Sequence, residues 1–215
     1  MATQVSQSKL SHLDCKVIPN GIDTHVFCPG DRLKARQHLE IPMDCKVVLF
    51  AAAARKSLFK DATTLWSAME KLAAHCPDML FLCIGIDAPS NKYLANLRCM
   101  GYISDMEKMA DAYRAADVFW HAAKAEAFGK TVTEAMACGT PVVASPVGGI
   151  TEQISDGISG FLAKTPEDFV QSTLKILNDD VCAGMKMAAA ERGAMFSLER
   201  QAEKFLSWYE ELQKR

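Results

Sequence analysis

Four short apolar runs constrain this chain more than any other feature. They occupy residues 46–52, 79–84, 118–122 and 141–144, and stretches of helical periodicity separate them. A strand that is apolar on both faces needs cover on both faces, which is the condition of a parallel sheet held between two helical layers. The segments between the runs supply that cover. Asp31 is placed to cap a helix over residues 32–39. Asp61 caps one reaching about residue 75, with Leu65, Met69, Leu72 and Ala73 on one stripe, and Asp105 starts one through residue 115. A further helix begins near Thr131 and ends at Gly139; others cover residues 150–155, 166–178, 180–196 and 198–213. Shorter strands are predicted at 16–19 and 97–100, and residues 1–14 read as a frayed or helical lead-in. Alternating strands and helices of this kind define an α/β, doubly wound parallel sheet, Rossmann-like in layout. With 215 residues and no repeat or low-complexity linker, one domain spanning 1–215 is the economical reading.

Ligands of such sheets bind outside the carboxyl ends of the strands. That rule selects the loops after Ala52, Gly85, Gly101 and Ala122, together with the Gly148-Gly149 turn. Charge must be met locally there, because the formal net charge of −2 offers no whole-surface attraction to nucleic acid. No apolar run approaches the ~20 residues that span a bilayer, and the polar residues 1–9 show no signal peptide. The eight cysteines include no Cys-x-x-Cys pair and no histidine at zinc spacing. Buried, reduced thiols in a cytoplasmic protein are therefore expected.

The richest loop is the one after Ala122. Residues 126–144 read EAFGKTVTEAMACGTPVVA, with Glu126 and Glu134 separated by seven residues and a glycine turn at Phe128-Gly129. Gly129-Lys130-Thr131 resembles the end of a P-loop, but the glycine that motif needs five positions earlier falls on Lys124. No Gly-x-Gly-x-x-Gly occurs either. A glycine turn feeding a helix start remains, and its N–H groups and partial positive charge suit a phosphate. Arg55 and Lys60, after the 46–52 strand, are cations at the same sheet edge. Glu134 has two readings: a capping-box partner of Thr131, or a ligand. Glu126 has no local structural role.

These blocks together resemble the signature of the family 4 retaining glycosyltransferases, two-domain GT-B enzymes that use nucleotide-diphosphate sugars. The resemblance runs from about residue 15 to the end. It includes Ile18-Pro19-Asn20-Gly21-Ile22-Asp23, Gly101-Tyr102-Ile103-Ser104-Asp105, the stretch from Tyr113 to Phe119, Gly148-Gly149-Ile150 with Glu152, and the stretch from Asp156 to Leu162. It implies the C-terminal half of a GT-B glycosyltransferase: a single donor-binding domain, with the acceptor domain absent. Glu126, Arg55 and Lys60 would be catalytic. Glu126 would bond the transferred sugar and stabilise positive charge near its anomeric carbon, while Arg55 and Lys60 would neutralise the leaving diphosphate. Glu134 would accept from the ribose hydroxyls. Phe128, Gly129 and Lys130 would present backbone groups, Thr131 and Val132 helix-start N–H groups, and Tyr102 and Ile103 would meet the base. The resemblance implies no cofactor and no metal.

The sequence also departs from that family. Asp61 follows the lysine where glycine is common, and Ala122-Ala123 replace Pro-Ser. His121 replaces an apolar residue; it could face the site, and is read first as a satisfied histidine beside the core. The segment between Gly85 and Gly101 is short and lacks a second glycine. The last helix, residues 197–215 with Leu198, Phe205, Trp208, Tyr209 and Leu212, resembles one that crosses back to the missing N-terminal acceptor domain. Without that partner its apolar side chains would be exposed or would pair with another chain. Four functions are weighed: a donor-binding half of a transferase, a non-catalytic nucleotide or nucleotide-sugar binding module acting with a partner chain, a hydrolase using the two glutamates as paired carboxylates, and an epimerase of nucleotide sugars on the same GT-B architecture, against which the two-glutamate signature argues.

Overall fold

The computed structural model describes residues 5, 7–51, 59–85 and 96–214. Six parallel strands form one sheet: β1 (Val47–Ala51), β2 (Leu80–Ile84), β3 (Leu97–Cys99), β4 (Val118–His121), β5 (Val142–Ala144) and β6 (Gly160–Leu162), in the order β3-β2-β1-β4-β5-β6. The order reverses direction between β1 and β4, which marks the switch point where α/β sheets open a ligand crevice. The register aligns Leu49 with Leu82 on one side and Phe119 on the other.

Side-chain alternation divides the core. Leu49, Leu82, Phe119 and Val142 face one helical layer; Phe50, Cys83, Trp120 and Val143 face the other. The first layer holds α1 (Arg32–His38), α3 (Met106–Ala115), α4 (Lys130–Ala137) and α5 (Ile150–Gln153), with α7 (Asp179–Ala194) packed on α4. The second holds α2 (Ala62–His75) and α6 (Pro166–Ile176). α8 (Leu198–Gln213) follows.

The expected caps form. Asp31, Asp61 and Asp105 each accept from N–H groups of the helix that follows, at 2.9 Å to Leu33, 3.3 Å to Thr64 and 2.9 Å to Glu107. The Asp61 departure therefore does not disturb α2, because aspartate supplies a cap that glycine lacks. The stripe on α2 also holds, with Leu65, Met69 and Leu72 buried. A buried Arg36 links the layer to β4's start: it donates to the carbonyls of Ala115, Pro42, Met43 and Cys45 and pairs with Asp117 at 3.1 Å. Asp117 in turn accepts from the Val47 N–H at 2.8 Å, tying β1 to the head of β4.

One expectation needs correction. Residues 16–19 do not form a strand; Pro19 has no N–H for a ladder, and among the described residues this segment first pairs at Ile22, whose N–H donates to the Phe196 carbonyl at 2.8 Å. In the lead-in, residue 5 is helical and residues 7–13 form turns and bends, closed by bonds such as Leu13 N–H to the Leu10 carbonyl at 3.0 Å. Among the described residues no helix is long and apolar enough to cross a membrane.

Candidate active site

Three segments meet at the carboxyl edge of the sheet. Beyond β1, Phe59 to Asp61 are tied to the residues after β4: the Asp61 N–H donates to the Ala122 carbonyl at 3.1 Å, and the Lys124 N–H to the Phe59 carbonyl at 2.7 Å. This pairing aims Lys60 at the loop that carries Glu126. Beyond β5, the Ser145 N–H donates to the His121 carbonyl at 2.9 Å, and its hydroxyl accepts from the Ala123 N–H. The Gly148-Gly149 turn then lies against the Glu126 loop. A Cβ on Gly148 would stand 1.7 Å from the Glu126 carbonyl oxygen, at φ +53, so only glycine admits this approach.

The side chains converge. Lys60 Nζ lies 3.0 Å from Glu126 Oε2 and 2.8 Å from His121 Nε2; His121 Nε2 is 3.5 Å from the same carboxylate oxygen. Lys60 and Glu126 remain partly open to solvent, whereas His121 is 4% exposed. The Glu126 carboxyl is held down to about 2 against the opposing effect of burial; a bond from His121 would need a proton on Nε2, which faces the Lys60 ammonium at 2.8 Å, so the ammonium is the group that acts. Burial lowers the His121 pKa and keeps the ring neutral. The histidine read from sequence as a satisfied core-side group is thus part of the cluster, and its Nδ1 has no hydrogen-bond partner. The available signal was one polar residue ending a strand whose other three, Val118, Phe119 and Trp120, are apolar.

Lys60, Glu126 and Phe128 line a cleft of about 1110 Å³, together with Val17 to Asn20 on one wall and Val147 to Gly149 on another. The extended 16–19 segment, lacking a strand's pairing, is what supplies that wall. α4 opens beside the cleft. Gly129, in the left-handed region at φ +88, is its N-cap, and no side chain caps it. That distinguishes α4 from α1, α2 and α3, whose aspartates occupy the same place. The Val132 N–H is engaged by the Gly129 carbonyl at 2.9 Å and its side chain is fully buried. The N–H groups of Lys130 and Thr131 are therefore the ones aimed past the helix end.

The capping-box reading of Glu134 is overturned. Its carboxylate accepts instead from the Tyr113 hydroxyl at 3.0 Å, 21 residues away in sequence, and Thr131 makes no cap. Burial raises the Glu134 pKa, with the tyrosine bond and Lys130 working against it. Tyr102 is 85% exposed on the loop after β3, beside a half-buried Ile103. Among the described residues, Tyr102, Ile103, Lys130, Thr131, Val132 and Glu134 stand outside the cleft walls. Arg55 lies outside the described residues.

The loop is braced from behind. The Gln153 amide Nε2, at the end of α5, donates to the Phe128 carbonyl, and Arg192 on α7 donates to the Glu152 and Gln153 carbonyls. Arg192 also stacks over Phe196, which meets Phe128 edge to face at 5.8 Å. Sequence reading did not single out Gln153, and it named Tyr113 only at the head of the 113–119 block without a role, since both act across segments. None of the cysteines is in a disulfide, and burial pushes Cys138, at the end of α4, up to about 12, which leaves it unreactive. Among the described residues, no three His, Cys, Asp or Glu side chains are grouped to hold a metal ion.

Comparison with known proteins gives a consistent picture. Residues 31–194 match the family described as Glycosyl transferases group 1. A D-inositol 3-phosphate glycosyltransferase of Stackebrandtia nassauensis is 33% identical over 213 residues, covering 90% of this chain and 48% of the relative. The chain spans about half the length of the curated relatives it matches. Among solved structures, sucrose-phosphate synthase from Thermosynechococcus elongatus superposes with a TM-score of 0.82 at 27% identity, over 99% of this chain and 56% of that one. Anabaena HepE, in complex with UDP and glucose, superposes with a TM-score of 0.75 at 23% identity, over 91% of this chain and 57% of that one. The sheet and its helices are those of the GT-B glycosyltransferase structures.

Proposed function

The chain belongs to the glycosyl transferases group 1 family, and from that premise we propose that it supplies the donor-binding half of a retaining glycosyltransferase, one that moves a hexosyl group from a nucleotide-diphosphate sugar to an acceptor. The observation that carries this reading is the Lys60–Glu126 pair at 3.0 Å, set at the switch point of the sheet beside the uncapped start of α4. A cation and an ionised carboxylate side by side suit a substrate that develops negative charge on its leaving diphosphate and positive charge at its anomeric carbon. In the proposed complex the pair separates. Lys60 and Arg55 turn to the diphosphate, and the Lys130 and Thr131 N–H groups meet its oxygens. Glu126 bonds the sugar hydroxyls and stabilises the cationic carbon. Phe128 and Gly129 present backbone groups to sugar and phosphate. Glu134, oriented by Tyr113, accepts from the ribose, and Tyr102 and Ile103 flank the base. A UDP-type donor is a reasonable first candidate, since a protein of the same fold holds UDP and glucose.

The bond from the anomeric carbon to the phosphate oxygen breaks with its electrons going to the diphosphate. The acceptor oxygen bonds the same face, and its proton passes to the leaving phosphate oxygen. Lys60, Arg55 and the helix start supply positive charge to the leaving group, so no metal is required in this scheme. The acceptor would be bound by an N-terminal domain or a partner chain, as the chain's coverage of its relatives suggests. On its own the chain would then act as a nucleotide or nucleotide-sugar binding module without useful turnover. The hydrolase alternative uses Glu126 and Glu134 as a pair across a glycosidic bond; the uncapped helix start beside Glu126, suited to a phosphate, would have no use in that reaction, which disfavours it.

Isothermal titration of the chain with UDP, GDP and ADP tests the reading. At least one should bind, with Lys60→Ala and Glu134→Ala each weakening it by about 10-fold or more. Absence of binding by all three would remove both the transferase and the binding-module readings.

A further inference from the structure

We propose that His121 is a positioning residue for Lys60, holding its ammonium at the site by accepting one of its N–H bonds on the imidazole Nε2. The inference rests on the donor-site reading, in which Lys60 faces a diphosphate. The two nitrogens are 2.8 Å apart, and an ammonium has only donors to offer. Nε2 must therefore accept, which places the ring proton on Nδ1. Glu126 Oε2, at 3.5 Å from Nε2 and 3.0 Å from Nζ, takes a second bond from the same ammonium. Lys60 is thus fixed from two directions, by one neutral and one charged acceptor.

The neutral partner is the informative one. A second carboxylate at position 121 would orient the lysine equally well, but it would cancel its charge and repel a phosphate. An imidazole orients without cancelling. Burial reinforces this by disfavouring the imidazolium. Packing alone does not explain the residue. Its strand is otherwise apolar and fully buried, and among the described residues Nδ1 has no partner, a cost that leucine or valine at the same position would not carry. Lysine otherwise reaches a phosphate as a flexible point charge with much rotamer freedom to lose; an acceptor at the base of the site removes that freedom before the ligand arrives.

Two measurements judge the proposal. Long-range proton–nitrogen correlation spectra of the imidazoles should show His121 neutral at pH 7.5, with Nδ1 protonated and an Nε2 signal that moves in Lys60→Ala. A ring protonated on Nε2, or an imidazolium, overturns the proposal whatever binds. In titrations with whichever of UDP, GDP or ADP binds, His121→Leu should weaken affinity by about 10-fold, while His121→Gln, whose Oε1 can accept from Lys60, should stay within about 3-fold of wild type. The double variant Lys60→Ala/His121→Leu should bind no more weakly than Lys60→Ala alone. Circular dichroism confirms that each variant is folded. Wild-type affinity in His121→Leu, or a glutamine variant as weak as the leucine one, overturns positioning while leaving the donor site standing. No affinity of the wild type for any of the three removes the donor-site reading and positioning together.

Discussion

At the scale of residues, the site is a set of polar side chains brought into partial burial and satisfied by one another. Tyr113 and Glu134 show this most clearly. Tyr113 is fully buried, its ring edge-on to Phe119 at 5.3 Å, and its hydroxyl reaches the half-buried Glu134 carboxylate. Because burial raises the Glu134 pKa above the ordinary value of 4.5, the native state binds this proton more readily than the unfolded chain does. The associated stability is fully present below the unfolded value and is lost as pH rises through the folded one. The tyrosine bond lowers the Glu134 pKa, so removing it should widen that loss. Tyr113→Phe keeps the ring and deletes the donor. It should cost about 1–3 kcal/mol at pH 7.5 and clearly less at pH 4, since falling pH protonates the carboxyl and weakens its demand for a donor. Urea unfolding at the two pH values measures the difference; an equal cost at both would assign the effect to packing instead.

At the scale of elements, the short helix α5 does more than link β5 to β6. Its last carbonyls, which a helix of four residues cannot satisfy internally, accept from Arg192 on α7, and its Gln153 side chain holds the Phe128 carbonyl of the active loop. Arg192→Met should therefore destabilise the fold by about 1–2 kcal/mol and loosen the Glu126 loop at a distance. Hydrogen exchange at Ala127 to Lys130 should quicken by about 10-fold relative to amides of β1; unchanged exchange there would confine Arg192 to a surface role. Local elements of this fold were legible in the sequence and cross-segment ones were not. The caps at Asp31, Asp61 and Asp105 depend on a side chain and an N–H two or three residues on, so spacing reveals them. The 16–19 strand failed because edge pairing is decided by a distant partner, here absent, and by Pro19. Glu134 matched a capping-box spacing yet bonded a tyrosine on another helix. His121 was visible as an oddity in an apolar strand, but only the loops after β1 and β4, folded together, give that oddity Lys60 as a partner.

At the scale of the whole molecule, the carboxyl edge of the sheet opens into the cleft, and α8 carries an apolar face with little to cover it. No residue of α8 is buried, and Leu206, Tyr209, Leu212 and Phe205 are between 40% and 61% exposed. Its described ties to the body include Lys16, which pairs with Glu211 at 2.9 Å and lies over the Trp208 ring, His25, 3.8 Å from Glu199, and the Leu198 N–H bonded to the Ile22 carbonyl. An exposed ion pair contributes about 0–1 kcal/mol. Most of this helix thus leaves an apolar face open to solvent, the kind of surface through which chains associate. Deleting residues 202–215, which leaves the Leu198 bond in place, should change the unfolding free energy by no more than about 1 kcal/mol. The intact chain should sediment as a concentration-dependent mixture of monomer and dimer, because pairing two such faces is the route open to it when no other domain is supplied. The shortened chain should sediment as monomer throughout. A large loss of stability on truncation would make α8 an integral part of the domain, and an intact chain that stays monomeric at every concentration would remove self-association from the account of this surface.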